Sequence, residues 1–283
     1  VREIRGKTFA EAYGCALNEI MNKPDFVTSP RGMKIREITD AVIHIDDCWS
    51  NSFENEVRSI PMKYLKGELL WYFSGRNDLE FIEKYSKFWK KIANEDGTCN
   101  SAYGKLIFNE KNEHGLTEWT WAYRSLVDDK DTRQAIIRFN KPKVSYPGVK
   151  DFVCTLNAVF NIRDNKLNLS TIMRSNDAVL GTCFDIPFFL YLMQVMRKQL
   201  LPSYRDLELG SYTHHAVSLH IYERDFDLVN KMLEKPFIPV ELPRIDMPPV
   251  YTDGSPFLDI SGMTEGKAPI SRDKFFEWLW NNN

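Results

Sequence analysis

The sequence predicts one α+β domain, on three observations. Apolar residues at helical spacing dominate the first part of the chain. Beyond the polar run Asp128-Asp129-Lys130-Asp131 the texture changes to short β-branched and aromatic stretches. No linker, internal repeat or low-complexity segment separates the two, so the chain reads as one domain over residues 1–283. With 43% hydrophobic residues, a chain of this length can bury a sizeable core.

Phe9, Ala10, Tyr13, Ala16, Leu17 and Ile20 share one face of a helix from about Thr8 to Asn22, which Lys23-Pro24 ends. A turn is expected at Ser29-Pro30-Arg31-Gly32 and a short strand at Val42-Ile43-His44-Ile45. Helices are expected over Ile60 to Ser74 and Leu79 to Ala93, with Asn77 or Asp78 as cap of the second, and over Leu116 to Val127. Strands follow at Ala135 to Phe139, Phe152 to Arg163 and Leu167 to Arg174, the last two joined by a turn at Asp164-Asn165-Lys166. Phe188 to Leu200 is a strongly apolar helix, Leu207 to Leu219 a strand and Arg224 to Glu234 a helix. Six prolines between Pro236 and Pro256 point to extended or looping backbone.

Composition narrows the function. Acidic residues outnumber basic ones by 39 to 37, a net charge of −2, which gives no excess of cations for a long polyanion and argues against a stable nucleic-acid partner. The cysteines Cys15, Cys48, Cys99, Cys154 and Cys183 are odd in number and lack paired metal-ligand spacing, so no metal is expected and a reducing cytosol fits. No run of about 18 apolar residues could span a bilayer, and VREIRGKTFAEAYG lacks a signal-peptide core, so a cytoplasmic protein with no membrane partner is expected.

Four ordered segments together resemble the thymidylate synthase superfamily: Gly67-Glu68-Leu69-Leu70-Trp71, Tyr103-Gly104, Arg174-Ser175-Asn176-Asp177 and His220-Ile221-Tyr222. Each alone is weak; their order and spacing make the set specific. The resemblance runs from about Arg31 to Tyr222 and implies a large mixed β-sheet packed with helices, a sheet face forming a homodimer interface, and 5,10-methylenetetrahydrofolate as one-carbon donor. Within the superfamily, Asn100-Ser101-Ala102-Tyr103-Gly104 and Asp151-Phe152-Val153-Cys154-Thr155 are similar to the phage deoxycytidylate hydroxymethylases, which act in the host cytoplasm to supply modified DNA.

The roles carried over are those of the resemblance. Cys154 would be the nucleophile, Glu68 the general acid or base, and Tyr103 and Asp177 aids to proton removal and folate binding. Trp89 would line the folate site with Asp177 and Glu68. Arg31, Arg174 and Ser175 fall on phosphate positions, as does Arg133, which resembles an arginine donated across the dimer; its usual neighbouring arginine is Gln134 here. Asn176 lies within the substrate motif, and His220 with Tyr222 would bond the sugar 3′-hydroxyl. Asp185 stands where synthases using dUMP carry asparagine, and a carboxyl that shares a proton suits the amino edge of cytosine.

Other readings remain beside these. A lone cysteine in a strand is more often inert core, which holds for the other four cysteines. Local sequence equally allows Asp185 as a cap of the following helix, and any of the arginines, alone, as a solvated surface residue. A substrate of dUMP, a methyl product, or a catalytically idle nucleotide- or RNA-binding relative are the rival functions. Phe275-Phe276-Glu277-Trp278-Leu279-Trp280 lacks the small apolar ending with which many synthases close the folate pocket.

Overall fold

The computed structural model describes residues 1–281. Its elements run β1 (Arg2–Gly6), α1 (Phe9–Asn22), β2 (Phe26–Thr28), β3 (Ile35–Ile45), β4 (Ser52–Glu54), α2 (Met62–Phe73), α3 (Leu79–Ile82), α4 (Trp89–Ile92), α5 (Glu118–Asp128) and β5 (Ile136–Arg138). They continue with β6 (Thr155–Arg163), β7 (Lys166–Met173), β8 (Asn176–Asp177), α6 (Thr182–Leu200), β9 (Glu208–Tyr222), α7 (Phe226–Leu233), β10 (Ile238–Val240), α8 (Leu258–Thr264) and α9 (Lys274–Trp280). Contacts between Cα atoms gather these into two units, Val1–Ile60 with Leu167–Met193 and Leu209–Leu242, and Pro61–Lys166 with Gln194–Glu208 and Pro243–Asn283.

The first unit is built on a mixed sheet in which β1, β3, β9 and β7 lie side by side, with β2 added to β3 and β8 to β9. β1 runs parallel to β3, with Ile4 opposite Ile43, and β3 antiparallel to β9, from Ile35 opposite Tyr222 to Ile45 opposite Tyr212. Helix α1 starts where Thr8 accepts the Glu11 N–H at 3.3 Å, and its apolar face packs on β1 and β3. Phe9, Tyr13, Phe53 and Phe237 form an aromatic cluster at its side.

The second unit is mainly helical, with β5 antiparallel to β6 through Ile137 opposite Ala158. Trp119 of α5 is fully buried and donates its indole N–H to Gln199 Oε1 at 3.0 Å; Gln199 in turn donates to the Val250 carbonyl at 2.7 Å, which ties the proline-rich connection down. The turn after β6 holds Asp164 and Asn165 at φ 48° and 58°, the left-handed pair that Asp and Asn tolerate best.

Two expectations need correction. Leu79 to Ala93 is not one helix: α3 ends at Ile82 and α4 begins at Trp89. Tyr85, between them, lies so close to Gly67 that a Cβ there would be 2.3 Å from its ring, so the chain leaves the helical path to fill that space. Helix α6 begins at Thr182, six residues before Phe188, and carries Pro187 inside it. One missing backbone donor is tolerated because Ile186 to Met196 are buried on every side and hold the helix by packing.

Candidate active site

In the second unit Cys154 sits one residue before β6, half-buried, with its thiol 3.9 Å from the Phe152 carbonyl. Its neighbours in the chain are held on both sides. Thr155 is fully buried and donates its hydroxyl to the Tyr103 phenol oxygen at 2.7 Å. Asp151, also buried, accepts the Ser101 N–H at 2.8 Å and the Ser101 hydroxyl, while its backbone carbonyl accepts from Asn100 at 3.0 Å. The segments 100–104 and 151–155 are thus pinned to each other at both ends. Burial pushes the Asp151 carboxyl up, against the lowering effect of the Ser101 donors.

The other thiols differ from Cys154. Burial raises Cys99 to about 12 and carries Cys48 higher still, so both stay protonated and unreactive at neutral pH. Cys183 is buried and donates to the Val179 carbonyl at 3.1 Å; Cys15 is exposed on α1.

Glu68 lies in α2, buried, where both phenols one helical turn away converge on it: Tyr64 donates to Oε1 at 2.6 Å and Tyr72 at 3.2 Å. Trp89 donates its indole N–H to the Tyr64 oxygen at 3.1 Å and packs edge-on against Trp71 with centroids 5.0 Å apart. Tyr72 stacks on Tyr103 at 5.2 Å, so one aromatic chain carries Trp89, Glu68 and Tyr103 together. Gly104 is required by that approach, since a Cβ would stand 1.8 Å from the Tyr72 carbonyl oxygen. Among the described residues Trp71 Nε1 is buried with no acceptor, in a wall of Trp, Tyr and a carboxylate whose chemistry fits a flat heteroaromatic co-substrate.

Arg133 is exposed on the loop between α5 and β5 and stands outside this cluster; the Gln134 carbonyl accepts the Trp121 indole N–H at 2.9 Å. A cavity of about 730 Å³ in the same unit is lined by Asn94, Asn100, Lys105 and Tyr146 and by none of the candidate catalytic, substrate or folate residues.

In the first unit the substrate motif falls at the ends of β7 and β9. Arg174 and Ser175 follow β7, both half-buried. β8 pairs parallel with β9 so that Asp177 lies opposite His220. Asp177 Oδ1 accepts the N–H groups of Val179 and Leu180 at 2.8 and 3.1 Å, and Oδ2 lies 3.5 Å from the Arg224 guanidinium. His220 is buried; burial lowers its pKa, and the nearby Asp177 carboxylate partly opposes that. Two residues on, the half-buried Tyr222 meets the His220 ring edge-on at 5.1 Å, with the Arg224 guanidinium 4.2 Å over its own ring. Arg31 is exposed, at φ 53° in the turn before β3, the strand that pairs Ile35 with Tyr222.

Asp185 is in the first turn of α6, half-buried, and accepts the Asn176 amide at 2.8 Å through Oδ2. It does not serve as the N-cap; the helix has already begun at Thr182. Sequence reasoning passed over Tyr64, Tyr72, Arg224 and the Asp151 clamp. The spacing of the two tyrosines, four residues either side of Glu68, is the one signal that could have found them.

Among the described residues no group of three His, Cys, Asp or Glu side chains could hold a metal ion, and no helix is long and apolar enough to cross a membrane.

The profile of the thymidylate synthase family matches residues 12–259. The chain is 31% identical over 224 residues to deoxycytidylate 5-hydroxymethyltransferase of Enterobacteria phage T4, covering 77% of this chain and 86% of that protein. It is 28% identical over 231 residues to deoxyuridylate hydroxymethyltransferase of Bacillus phage SP01, covering 78% and 59%. The fold is similar to that of thymidylate synthase A from Bacillus subtilis, with a TM-score of 0.66 at 19% identity over 82% of this chain and 86% of that one. With its α+β architecture and its ordered motifs, the chain belongs to the thymidylate synthase family.

Proposed function

We propose that this enzyme converts dCMP to 5-hydroxymethyl-dCMP. As a member of the thymidylate synthase family it transfers a one-carbon unit to a pyrimidine nucleotide, with methylenetetrahydrofolate as co-substrate. What supports the cytosine reading is that Asp185, held by the Asn176 amide, is a carboxylate at the position where the resemblance implies asparagine in synthases that use dUMP. Uracil presents an N3–H donor and an O4 acceptor, which a neutral amide matches. Cytosine presents an amino donor and a bare N3, which a carboxyl sharing one proton matches. Mismatched buried polar groups discriminate by about 10⁴-fold, enough for this residue to choose the substrate.

In this reading the Cys154 thiolate adds to C6 of the ring and makes C5 nucleophilic, and C5 attacks the folate methylene. Loss of the C5 proton, assisted by Tyr103, then breaks the bond between the transferred carbon and the folate nitrogen, so that tetrahydrofolate leaves as the free amine and an exocyclic methylene remains; Glu68 moves the protons at the transferred carbon. Water then adds to the exocyclic methylene and elimination of Cys154 frees the product. Arg31, Arg174 and Ser175 bind the phosphate, His220 and Tyr222 the 3′-hydroxyl, and Asn176 the base edge together with Asp185. Trp89 and Asp177 hold the folate. We further propose that residues 1–283 act as one domain, because the family match runs through both units, that two copies pair, and that Arg133 enters the partner's phosphate site. Host cytoplasm is the proposed place of action.

The phage SP01 relative supports the second reading, a dUMP substrate. Incubation with dCMP or dUMP and methylenetetrahydrofolate, followed by mass spectrometry, separates the two bases and hydroxymethyl from methyl. Hydroxymethyl-dCMP is expected, and consumption of dUMP alone would overturn the Asp185 reading. A covalent adduct with 5-fluoro-dCMP, absent in Cys154→Ser, tests the nucleophile; no adduct in the wild type would favour a non-catalytic nucleotide-binding protein.

A further inference from the structure

Behind Asp185 the buried Asn176 amide leads into a line of polar groups that the chemistry above does not use. The Asn176 amide that donates to Asp185 Oδ2 has its own oxygen occupied, by the Thr182 hydroxyl and by His214 Nε2 at 3.1 Å. His214 is fully buried in β9; its Nδ1 lies 2.8 Å from the Tyr212 phenol and 3.2 Å from the Thr171 hydroxyl, and those two oxygens are 2.6 Å apart. Asn176, Thr182, Tyr212 and Thr171 are themselves buried.

One set of proton positions satisfies the whole line. Burial drives the His214 imidazolium to about 3 and holds the Tyr212 phenol protonated, so the ring is neutral and carries one N–H. Tyr212 gives its proton to Nδ1, and Thr171 satisfies the Tyr212 oxygen. The remaining proton is on Nε2, and it can only point at an acceptor, the Asn176 carbonyl oxygen. That fixes the amide the other way round toward Asp185, with N–H facing Oδ2. Gly181 leaves room for the two side chains to meet: a Cβ there would stand 2.9 Å from Asn176 Nδ2 and 3.2 Å from Asp185 Oδ2.

We propose that His214, oriented by Tyr212 and Thr171, is a positioning residue for base choice: it locks the Asn176 amide so that Asp185 Oδ2 is always an acceptor and the acid's proton stays available to the cytosine N3. The inference rests on Asp185 reading the pyrimidine edge. Without the Nε2 proton only the Thr182 hydroxyl, which can accept as well as donate, holds the Asn176 amide, and the amide can turn over and present its oxygen to Asp185. The acid then spends its proton on Asn176 and offers the ring only acceptors, which suits the N3–H of uracil.

The experiment compares kcat/KM for dCMP and dUMP in wild type, His214→Phe and His214→Gln. Phenylalanine has no donor for Asn176; the glutamine amide restores one. His214→Phe is expected to lower the dCMP-to-dUMP ratio at least about tenfold, mostly through KM for dCMP, and His214→Gln to stay within about threefold of wild type. A folded His214→Phe enzyme with the wild-type ratio overturns the inference. If that variant does not fold, Tyr212→Phe serves: loss of the phenol that donates to Nδ1 lets the ring change tautomer, and a ratio lowered about threefold supports the relay where an unchanged one overturns it. A wild-type enzyme with no preference for dCMP fails at the earlier step, the reading of Asp185; a preference that survives His214→Phe removes only the relay.

Discussion

Thr155 donates its hydroxyl proton to the Tyr103 phenol at 2.7 Å, which joins the residue after Cys154 to the tyrosine of the Tyr-Gly motif inside the second unit. Both are buried, so the bond is shielded from water and any loss is felt in full. Tyr103→Phe leaves the Thr155 hydroxyl without its acceptor and is expected to cost about 1–3 kcal/mol in unfolding free energy. In its proposed role in proton removal, Tyr103 makes a second effect expected: kcat falls about 10²-fold or more while KM for the nucleotide changes little. Denaturant melts and steady-state kinetics check the two effects separately.

Asp151 gives a prediction with a pH sign. Its folded pKa is raised by burial, so the folded state binds a proton more readily than the unfolded chain. Its contribution to stability is therefore full in acid, below the ordinary aspartate range, and is lost as pH rises through the raised value. Asp151→Asn keeps an acceptor for the Ser101 N–H and removes the buried charge, so at pH 7 it is expected to be at least as stable as wild type. Asp151→Ala strips both Ser101 donors of their acceptor and is expected to lose about 2 kcal/mol and to form the 5-fluoro-dCMP adduct more slowly. Equal melting of the alanine and asparagine variants would contradict this.

Glu68 has both neighbouring phenols bonded to one oxygen, Oε1. The carbonyl oxygen of a glutamine can accept both, so Glu68→Gln should keep the fold and lose only the ionisable group. Turnover is expected to drop about 10²-fold or more with the melting temperature nearly unchanged. Parallel loss of stability and rate would show that the carboxylate is structural.

His214 makes stability depend on mild acid. Its folded pKa, about 3, lies below the ordinary value of 6.5, so the unfolded chain binds the extra proton between those limits. Stability rises with pH across that window and is lost as pH falls below about 6.5, by up to about 1.4 kcal/mol per unit. The lowered pKa of His220 acts in the same direction, which makes the variant comparison necessary. Urea melts at pH 7 and pH 5 should show a larger difference for wild type than for His214→Gln; identical differences would refute the buried neutral ring.

Much of the framework was legible. Helices α1, α2 and α5 matched their expected spans to within a few residues because their apolar spacing agrees with the face they bury. Cys154, Glu68, Tyr103, Asp177, Asp185 and His220 are proposed as site residues from motifs whose order along the chain carries information. What periodicity could not show was the break between α3 and α4, where the room beside Gly67 draws Tyr85 off the helical path. Nor could it show β1, which lacks alternation strong enough to stand out and is recruited by pairing with β3.

The amino-acid order alone pointed to an α+β chain of the thymidylate synthase family and to candidate reactive groups, since such groups recur at set positions between apolar elements. Folding alone determined what each of those groups touches. The Glu68 phenols are four residues away and still escaped notice, Asp151 meets Ser101 from fifty residues off, and Asn176 meets His214 across two strands. The physical reason is burial: a hydroxyl or imidazole acquires a fixed direction only when water is gone and a single partner remains, and which partner remains is a property of packing rather than of neighbouring letters.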